Sequence, residues 1–295
     1  MQDDGFIEHF CPAEDGLMLY ARDYGVSAPA GKKQRTPLIC LPGLSRNSRD
    51  FHQLALLLSQ HSSAPRRVIA LDYRGRGRSG RDETPANYNL VVECRDVLTI
   101  CAALGLERCL FAGTSRGGLI LHLLAAAHPQ RIAGVILNDI GPEIEAAGLA
   151  EIRTYLSRVV PLSTFDEAAR ALKILHGEAF PALGPLDWKD MAEAIYVKKD
   201  GGIVADFDPA LTEQLKTMDL EKPLPTLWPQ FGALARSPLL VIRGEHSRIL
   251  SRSTFEAMSK AAPAVWAITA HGQGHAPLLH HPDIFPAIVE FLQRY

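Results

Sequence analysis

The segment Gly113-Thr114-Ser115-Arg116-Gly117, followed by Gly118, sets a hydroxyl among glycines in the pattern G-x-S-x-G. A serine hydroxyl attacks a carbonyl only with a base beside it and donors ready for the oxyanion that forms. The context suits that chemistry. Residues 109–113 read as a strand and 116–127 as a helix, so Ser115 falls on a tight strand-to-helix turn that exposes its side chain. Small residues two before and two after it let the turn close without a Cβ clash. The helix that starts there aims its free N–H groups and positive dipole end at the reacting centre. The same pattern occurs in ordinary serine-capped turns, and the strand and helix on either side select the catalytic reading.

His275, in Gly272-Gln273-Gly274-His275-Ala276-Pro277, is the candidate base. It follows the last expected strand and lies C-terminal to the serine, as the chain order Ser…acid…His requires. The other histidines are placed less well. His122 and His128 lie on the helix after Ser115, and His271 is at a strand end. The pair His280-His281 lacks a third metal ligand and reads as a solvated loop. Two backbone N–H groups must face the oxyanion. Arg116, directly after the serine, supplies one, and Leu44 in the turn Leu41-Pro42-Gly43-Leu44 is placed to supply the other.

These residues need strand ends on one edge of a sheet. Two strands around Glu14-Asp15-Gly16 are expected over 6–24, and a small, polar, basic loop over 25–36. Apolar runs at 37–41, 67–71, 109–113, 132–137, 238–242 and 264–269 read as buried strands. Helices are expected around 50–60, 88–104, 116–127, 253–262 and 283–294. The alternation predicts a doubly wound, mainly parallel sheet with its ligand site beyond the strands' carboxyl ends. Between Gly141-Pro142 and residue 235 the rhythm changes to helix-like segments at 146–159, 165–176 and 187–197. The expected division is a core of 1–140 and 236–295 with a helical cap at 141–235. Trp188, Tyr196, Phe207, Trp228 and Phe231 give the cap its aromatic mass.

Taken together, Leu41-Pro42-Gly43-Leu44, Leu71-Asp72-Tyr73-Arg74-Gly75-Arg76-Gly77-Arg78-Ser79, Gly113–Gly118 and Gly274-His275-Ala276-Pro277 resemble the α/β-hydrolase superfamily over nearly the whole chain. Leu137-Asn138-Asp139-Ile140-Gly141-Pro142 resembles a capped bacterial subgroup within it. The resemblance implies an α/β fold with an eight-stranded, mostly parallel sheet flanked by helices, an inserted helical cap and hydrolysis through an acyl-enzyme. Serine rather than aspartate at the turn argues against epoxide hydrolase and haloalkane dehalogenase chemistry.

The acid departs from that pattern. The family usually carries it on the loop that here reads Arg243-Gly244-Glu245-His246-Ser247-Arg248-Ile249-Leu250, and the subgroup has Ser-Asp where this chain has Ser247-Arg248. Three options stay open. Asp139 could turn to His275 from the neighbouring strand end, which some relatives use and which is favoured here. Glu245 lies on the expected loop but early. Or no acid orients the imidazole.

Composition is that of an ordinary soluble globular protein. The chain has 295 residues, 47% hydrophobic and 22% charged, with a formal net charge of −2. That excludes a strong electrostatic footprint for nucleic acid. No apolar run approaches a membrane span. The N-terminus, Met1-Gln2-Asp3-Asp4-Gly5, lacks a secretory pattern, and the five cysteines show no disulfide spacing, so a cytoplasmic location is expected. Arg74, Arg76 and Arg78 read as a solvated loop paired with Asp72 and Asp82. No cofactor or metal is expected. The leading expectation is hydrolysis of a small ester, thioester or lactone. The alternatives are carbon–carbon hydrolysis of a diketone or ring-cleavage product, and non-catalytic ligand binding on the same fold.

Overall fold

Runs of aliphatic residues too short for helices and closed by Pro, Gly or Asp form the buried strands. A computed structural model describes residues 5–25, 35–157, 162–262 and 264–295. Helices and strands alternate from the hairpin β1 (Phe6–Pro12) and β2 (Met18–Tyr24) through β3 (Leu38–Leu41), α1 (His52–Ser59), β4 (Val68–Asp72) and α2 (Leu90–Ala103). There follow β5 (Cys109–Thr114), α3 (Arg116–Ala127) and β6 (Ile132–Asn138). Then come α4 (Ala146–Leu156), α5 (Phe165–His176), α6 (Pro185–Ile195), β7 (Tyr196–Lys199), β8 (Gly202–Ala205), α7 (Glu213–Thr217) and α8 (Trp228–Leu234). The chain ends with β9 (Leu239–Gly244), α9 (Arg252–Lys260), β10 (Val265–Ala270) and α10 (Phe285–Gln293).

Eight strands form one sheet in the order β1-β2-β4-β3-β5-β6-β9-β10. The β1–β2 and β2–β4 pairs are antiparallel, and every pair from β4 to β10 is parallel. Register aligns the carboxyl ends. Leu41 pairs with Gly113, Thr114 with Asn138, and Asn138 with Ile242. The turn after β3, Ser115, Asp139 and the loop after β9 therefore emerge side by side.

Helices cover both faces. Val97 of α2, Leu121 of α3 and Phe231 of α8 fill one side, with Leu54 of α1 and Ile288 and Phe291 of α10 on the other. The segment between β6 and β9 has a small core of its own, built on Leu172, Trp188, Ala192 and Ile203. It is anchored to the sheet domain by backbone. Gly77 N–H donates to Asp206 O at 3.0 Å, and Asp208 N–H donates to Gly75 O at 2.7 Å.

Several expectations change. The helix expected over 187–197 is shorter: α6 ends at Ile195, and the residues expected to continue it enter the β7–β8 hairpin. The alternation of Tyr196, Val197, Lys198 and Lys199 with a Gly201-Gly202 turn favours that hairpin over helix. Trp228 and Phe231 belong to the core of the main sheet rather than to the cap, because α8 packs on α3. Helix α4 ends at Leu156. The expected helical residues 158–159, residues 1–4 of the N-terminus and residues 26–34 of the basic loop lie outside the described residues.

Candidate active site

Ser115 stands between β5 and α3 with φ 50°, in the left-handed region that side chains rarely adopt. The three neighbouring glycines explain how the turn tolerates it. A Cβ on Gly117 would lie 2.2 Å from Leu41 O, and one on Gly118 would lie 2.2 Å from Ile140 Cγ2. A Cβ on Gly113 would meet Gly117 and Gly118 backbone at 2.7 Å. The chain passes too close to itself for any side chain there.

His275 lies between Ser115 and Asp139. Its Nε2 is 2.9 Å from Ser115 Oγ, and its Nδ1 is 2.8 Å from Asp139 Oδ2. An ionised carboxylate only accepts, so this geometry selects the tautomer with hydrogen on Nδ1 and leaves Nε2 to accept from the serine hydroxyl. The loop carrying His275 is tied to the sheet where Asn138 Nδ2 donates to Pro277 O at 2.9 Å.

Asp139 is fully buried and also has positive φ, 54°. Such strain costs about 1–3 kcal/mol and persists only where surroundings over-determine it. The surroundings do so here. Asp139 N–H donates to Ile242 O at 2.8 Å, Gly244 N–H donates to Oδ1 at 2.8 Å, and Ser247 Oγ donates to Oδ2 at 2.6 Å. Asp139, left open at the level of sequence, is thus the carboxylate at His275. Glu245 is not: it is half exposed and accepts from Gly272 N–H at 2.7 Å, which holds its carboxyl below the usual range. Arg248 turns outward to pair with Glu151.

Leu44 lines the cavity in front of Ser115, and a Cβ on Gly43 would lie 3.8 Å from Ser115 Cβ. Arg116 opens α3, where first-turn N–H groups have no intrahelical acceptor. Its side chain leaves the cavity and pairs with Glu93 at 2.6 Å.

The cavity has a volume of about 760 Å³ and lies between the sheet's edge and the cap. Leu172, Phe180 and Ile195 give it apolar wall, and Arg46, Tyr155 and Tyr196 give it polar wall. His280 also lines it, with a buried Nε2 that has no hydrogen-bond partner among the described residues, so for His280 the expected solvated loop is corrected to cavity wall. Burial lowers its pKa. The arginine loop is corrected as well. Arg74 and Arg76 are buried, the first paired with Asp82, Asp96 and Asp15 and the second with Glu93. Asp72 accepts instead from the N–H groups of Ser48 and Arg78. Only Arg78 is substantially exposed, paired with Glu8.

Sequence reasoning missed Ser247 as a partner of Asp139. Its signal was present in its position on the loop where the acid was sought. Among the described residues no helix is long and apolar enough to cross a membrane.

Comparison with known proteins extends these findings. Residues 36–282 match the family model described as alpha/beta hydrolase fold. The chain is 30% identical to a 3-hydroxybutyrate-oligomer hydrolase of Cupriavidus necator over 285 residues, covering 94% of this chain and 93% of the other. It is 28% identical over 279 residues to a pimeloyl-[acyl-carrier protein] methyl ester esterase of Edwardsiella ictaluri, covering 89% and 94%. Among solved structures, an alpha/beta hydrolase from Novosphingobium aromaticivorans superposes with a TM-score of 0.88 at 38% identity, covering 99% of each chain. With its strand order, its strained serine turn and these matches together, the chain belongs to the α/β hydrolase fold family.

Proposed function

We propose that this protein is a serine hydrolase that cleaves a small carboxylic ester through an acyl-enzyme. The observation that carries the reading is the line Ser115 Oγ–His275 Nε2 at 2.9 Å and His275 Nδ1–Asp139 Oδ2 at 2.8 Å, opening onto a cavity of about 760 Å³. In this reading His275 takes the Ser115 proton as Oγ attacks the ester carbonyl. Asp139 fixes the imidazole and stabilises the imidazolium that forms. The N–H groups of Leu44 and Arg116 hold the tetrahedral oxyanion. The oxyanion collapses, the carbonyl–alkoxy bond breaks, and His275 gives its proton to the leaving alcohol. Water, deprotonated by His275, then attacks the acyl-enzyme, and Ser115 leaves with the returned proton.

Two names support the ester bond. One relative is named for a methyl ester and the other for 3-hydroxybutyrate oligomers. We extend to this chain a small acyl ester held in the cavity, with short 3-hydroxyacyl esters as the first substrates to try. The mixed wall of the cavity suits a substrate with both apolar and hydrogen-bonding parts. The test is a fluorophosphonate probe followed by a panel of esters, thioesters, lactones and β-diketones. The expected result is stoichiometric labelling that disappears in Ser115→Ala, with esters turned over fastest. Folded protein that takes no label overturns the reading, and turnover of diketones alone replaces ester cleavage with carbon–carbon cleavage.

A further inference from the structure

Arg76, Glu93 and Arg116 come from three separate elements and meet in the interior. Glu93, on α2, is fully buried. Its Oε1 accepts from Arg76 Nη1 at 2.7 Å, and its Oε2 accepts from Arg116 Nε at 2.6 Å. Each arginine then reaches backbone. Arg76 Nε donates to Leu44 O at 2.8 Å, and Arg116 Nη2 donates to Tyr88 O at 3.1 Å. An unbroken hydrogen-bonded path therefore runs from Leu44 through Arg76 and Glu93 to Arg116. Its two ends are the residues whose N–H groups are the oxyanion donors of the reading above.

Fold stability is a poor reason for such a path. Burying ions costs several kcal/mol each, and apolar residues of similar volume often serve as well or better. Geometry is what a carboxylate shared by two arginines supplies. Charge-assisted bonds to a planar guanidinium are short and directional, and they fix planes as well as distances. Arg76 itself is held at its base, because the glycines on either side of it carry the backbone bonds to Asp206 and Asp208. Its side chain is a fixed strut from that base to the Leu44 carbonyl.

We propose that Glu93 is a positioning residue that sets the separation and direction of the Leu44 and Arg116 N–H groups, an inference that rests on the serine-hydrolase reading. Oxyanion donors work only when already placed about 2.7–3.1 Å from where the charge will develop. Through Arg76, Glu93 holds the Leu44 carbonyl and so the Leu44–Ser45 peptide plane, which restricts the backbone next to the Leu44 N–H. Through Arg116 it holds the first residue of α3. The ground-state carbonyl gains little from this, and the oxyanion gains much.

The experiment compares wild type, Glu93→Gln and Arg116→Gln as full-length protein. It uses a p-nitrophenyl ester, a boronic acid that mimics the tetrahedral adduct, and thermal unfolding. Both variants are expected to lose about tenfold or more in kcat, with KM within about twofold. Boronate affinity should weaken in the same proportion, and the acidic limb of the pH profile should stay in place, since the His275–Asp139 contact is untouched. Folded variants with kcat near wild type overturn the inference. So does a loss confined to KM. A fall in Arg116→Gln with a rise in Glu93→Gln also overturns it, because net charge rather than position would then govern the rate. If Glu93→Gln does not fold, Arg116→Gln decides alone, since it leaves the Arg76–Glu93 pair intact. Wild type inert to ester and probe overturns the serine-hydrolase reading and this inference together; active wild type with unchanged variants overturns only the inference.

Discussion

Ser247 Oγ donates a 2.6 Å hydrogen bond to Asp139 Oδ2, the same carboxylate oxygen that His275 Nδ1 meets at 2.8 Å. The N–H groups of Ile249 and Leu250 donate to Ser247 Oγ at 3.2 and 3.1 Å, so its one hydrogen is committed to Asp139. The serine holds a carboxylate borrowed from the adjacent strand. Hydrogen bonds to charged groups contribute about 1.5–3 kcal/mol. Ser247→Ala is therefore expected to lower stability by about 1–2 kcal/mol and kcat by about three- to tenfold. Urea unfolding and steady-state kinetics on the same preparation check both. An unchanged kcat would show that Asp139 needs no help from this loop.

Asp139→Asn and Glu245→Gln separate the two carboxylates. The first removes tautomer control at His275 and is expected to cost about 10³–10⁴ in kcat. The second touches an exposed loop bond and should leave kcat within about threefold. Comparable small effects in both would mean that neither carboxylate orients the imidazole.

Gly117→Ala and Gly118→Ala probe the turn rather than the chemistry. Each would place a Cβ 2.2 Å from an atom that cannot easily yield, Leu41 O for the first and Ile140 Cγ2 for the second. Overpacking of this kind costs about 1–3 kcal/mol, and more where backbone must move. Both variants are expected to show lowered unfolding midpoints and little or no probe labelling. Gly16→Ala, with nothing within 4 Å but positive φ, should cost stability without affecting labelling.

His122 gives a pH dependence. It is fully buried on α3, its Nδ1 lies 2.7 Å from Gly118 O, and burial lowers its pKa to about 4. In the unfolded chain histidine titrates near 6.5. As pH falls from about 6.5 to about 4 the unfolded state binds the extra proton, so acidification destabilises the fold. Between pH 7 and pH 5 this amounts to about 2 kcal/mol. His122→Gln should flatten that part of the stability profile, measured by urea unfolding at both pH values. A slope identical to wild type would place the acid sensitivity elsewhere.

The sheet was legible because its strands are short aliphatic runs closed by Pro, Gly or Asp, and Ser115 was legible because a strand, a tight turn and a helix must coincide in sequence to build it. His275 was legible from chain order. The interior arginines were not, since Arg74 and Arg76 sit in a loop whose composition suggests solvent, and their burial rests on Asp96 and Glu93 of α2, further along the chain, and on Asp15, as well as on the nearby Asp82. Trp228 and Phe231 were misplaced for a similar reason. Nothing local says that α8 returns to pack on α3.

What the sequence alone determined is the set of local geometries: a hydroxyl on a strained turn, a histidine on a late loop, and parallel strands that end together. What only the tertiary structure decided is which distant partners meet there. Register between β6 and β9 carries Asp139 to His275 and to Ser247, and a buried carboxylate joins Arg76 to Arg116. Local propensities act over a few residues, whereas a hydrogen bond between residues 136 apart exists only once strand pairing has fixed both ends.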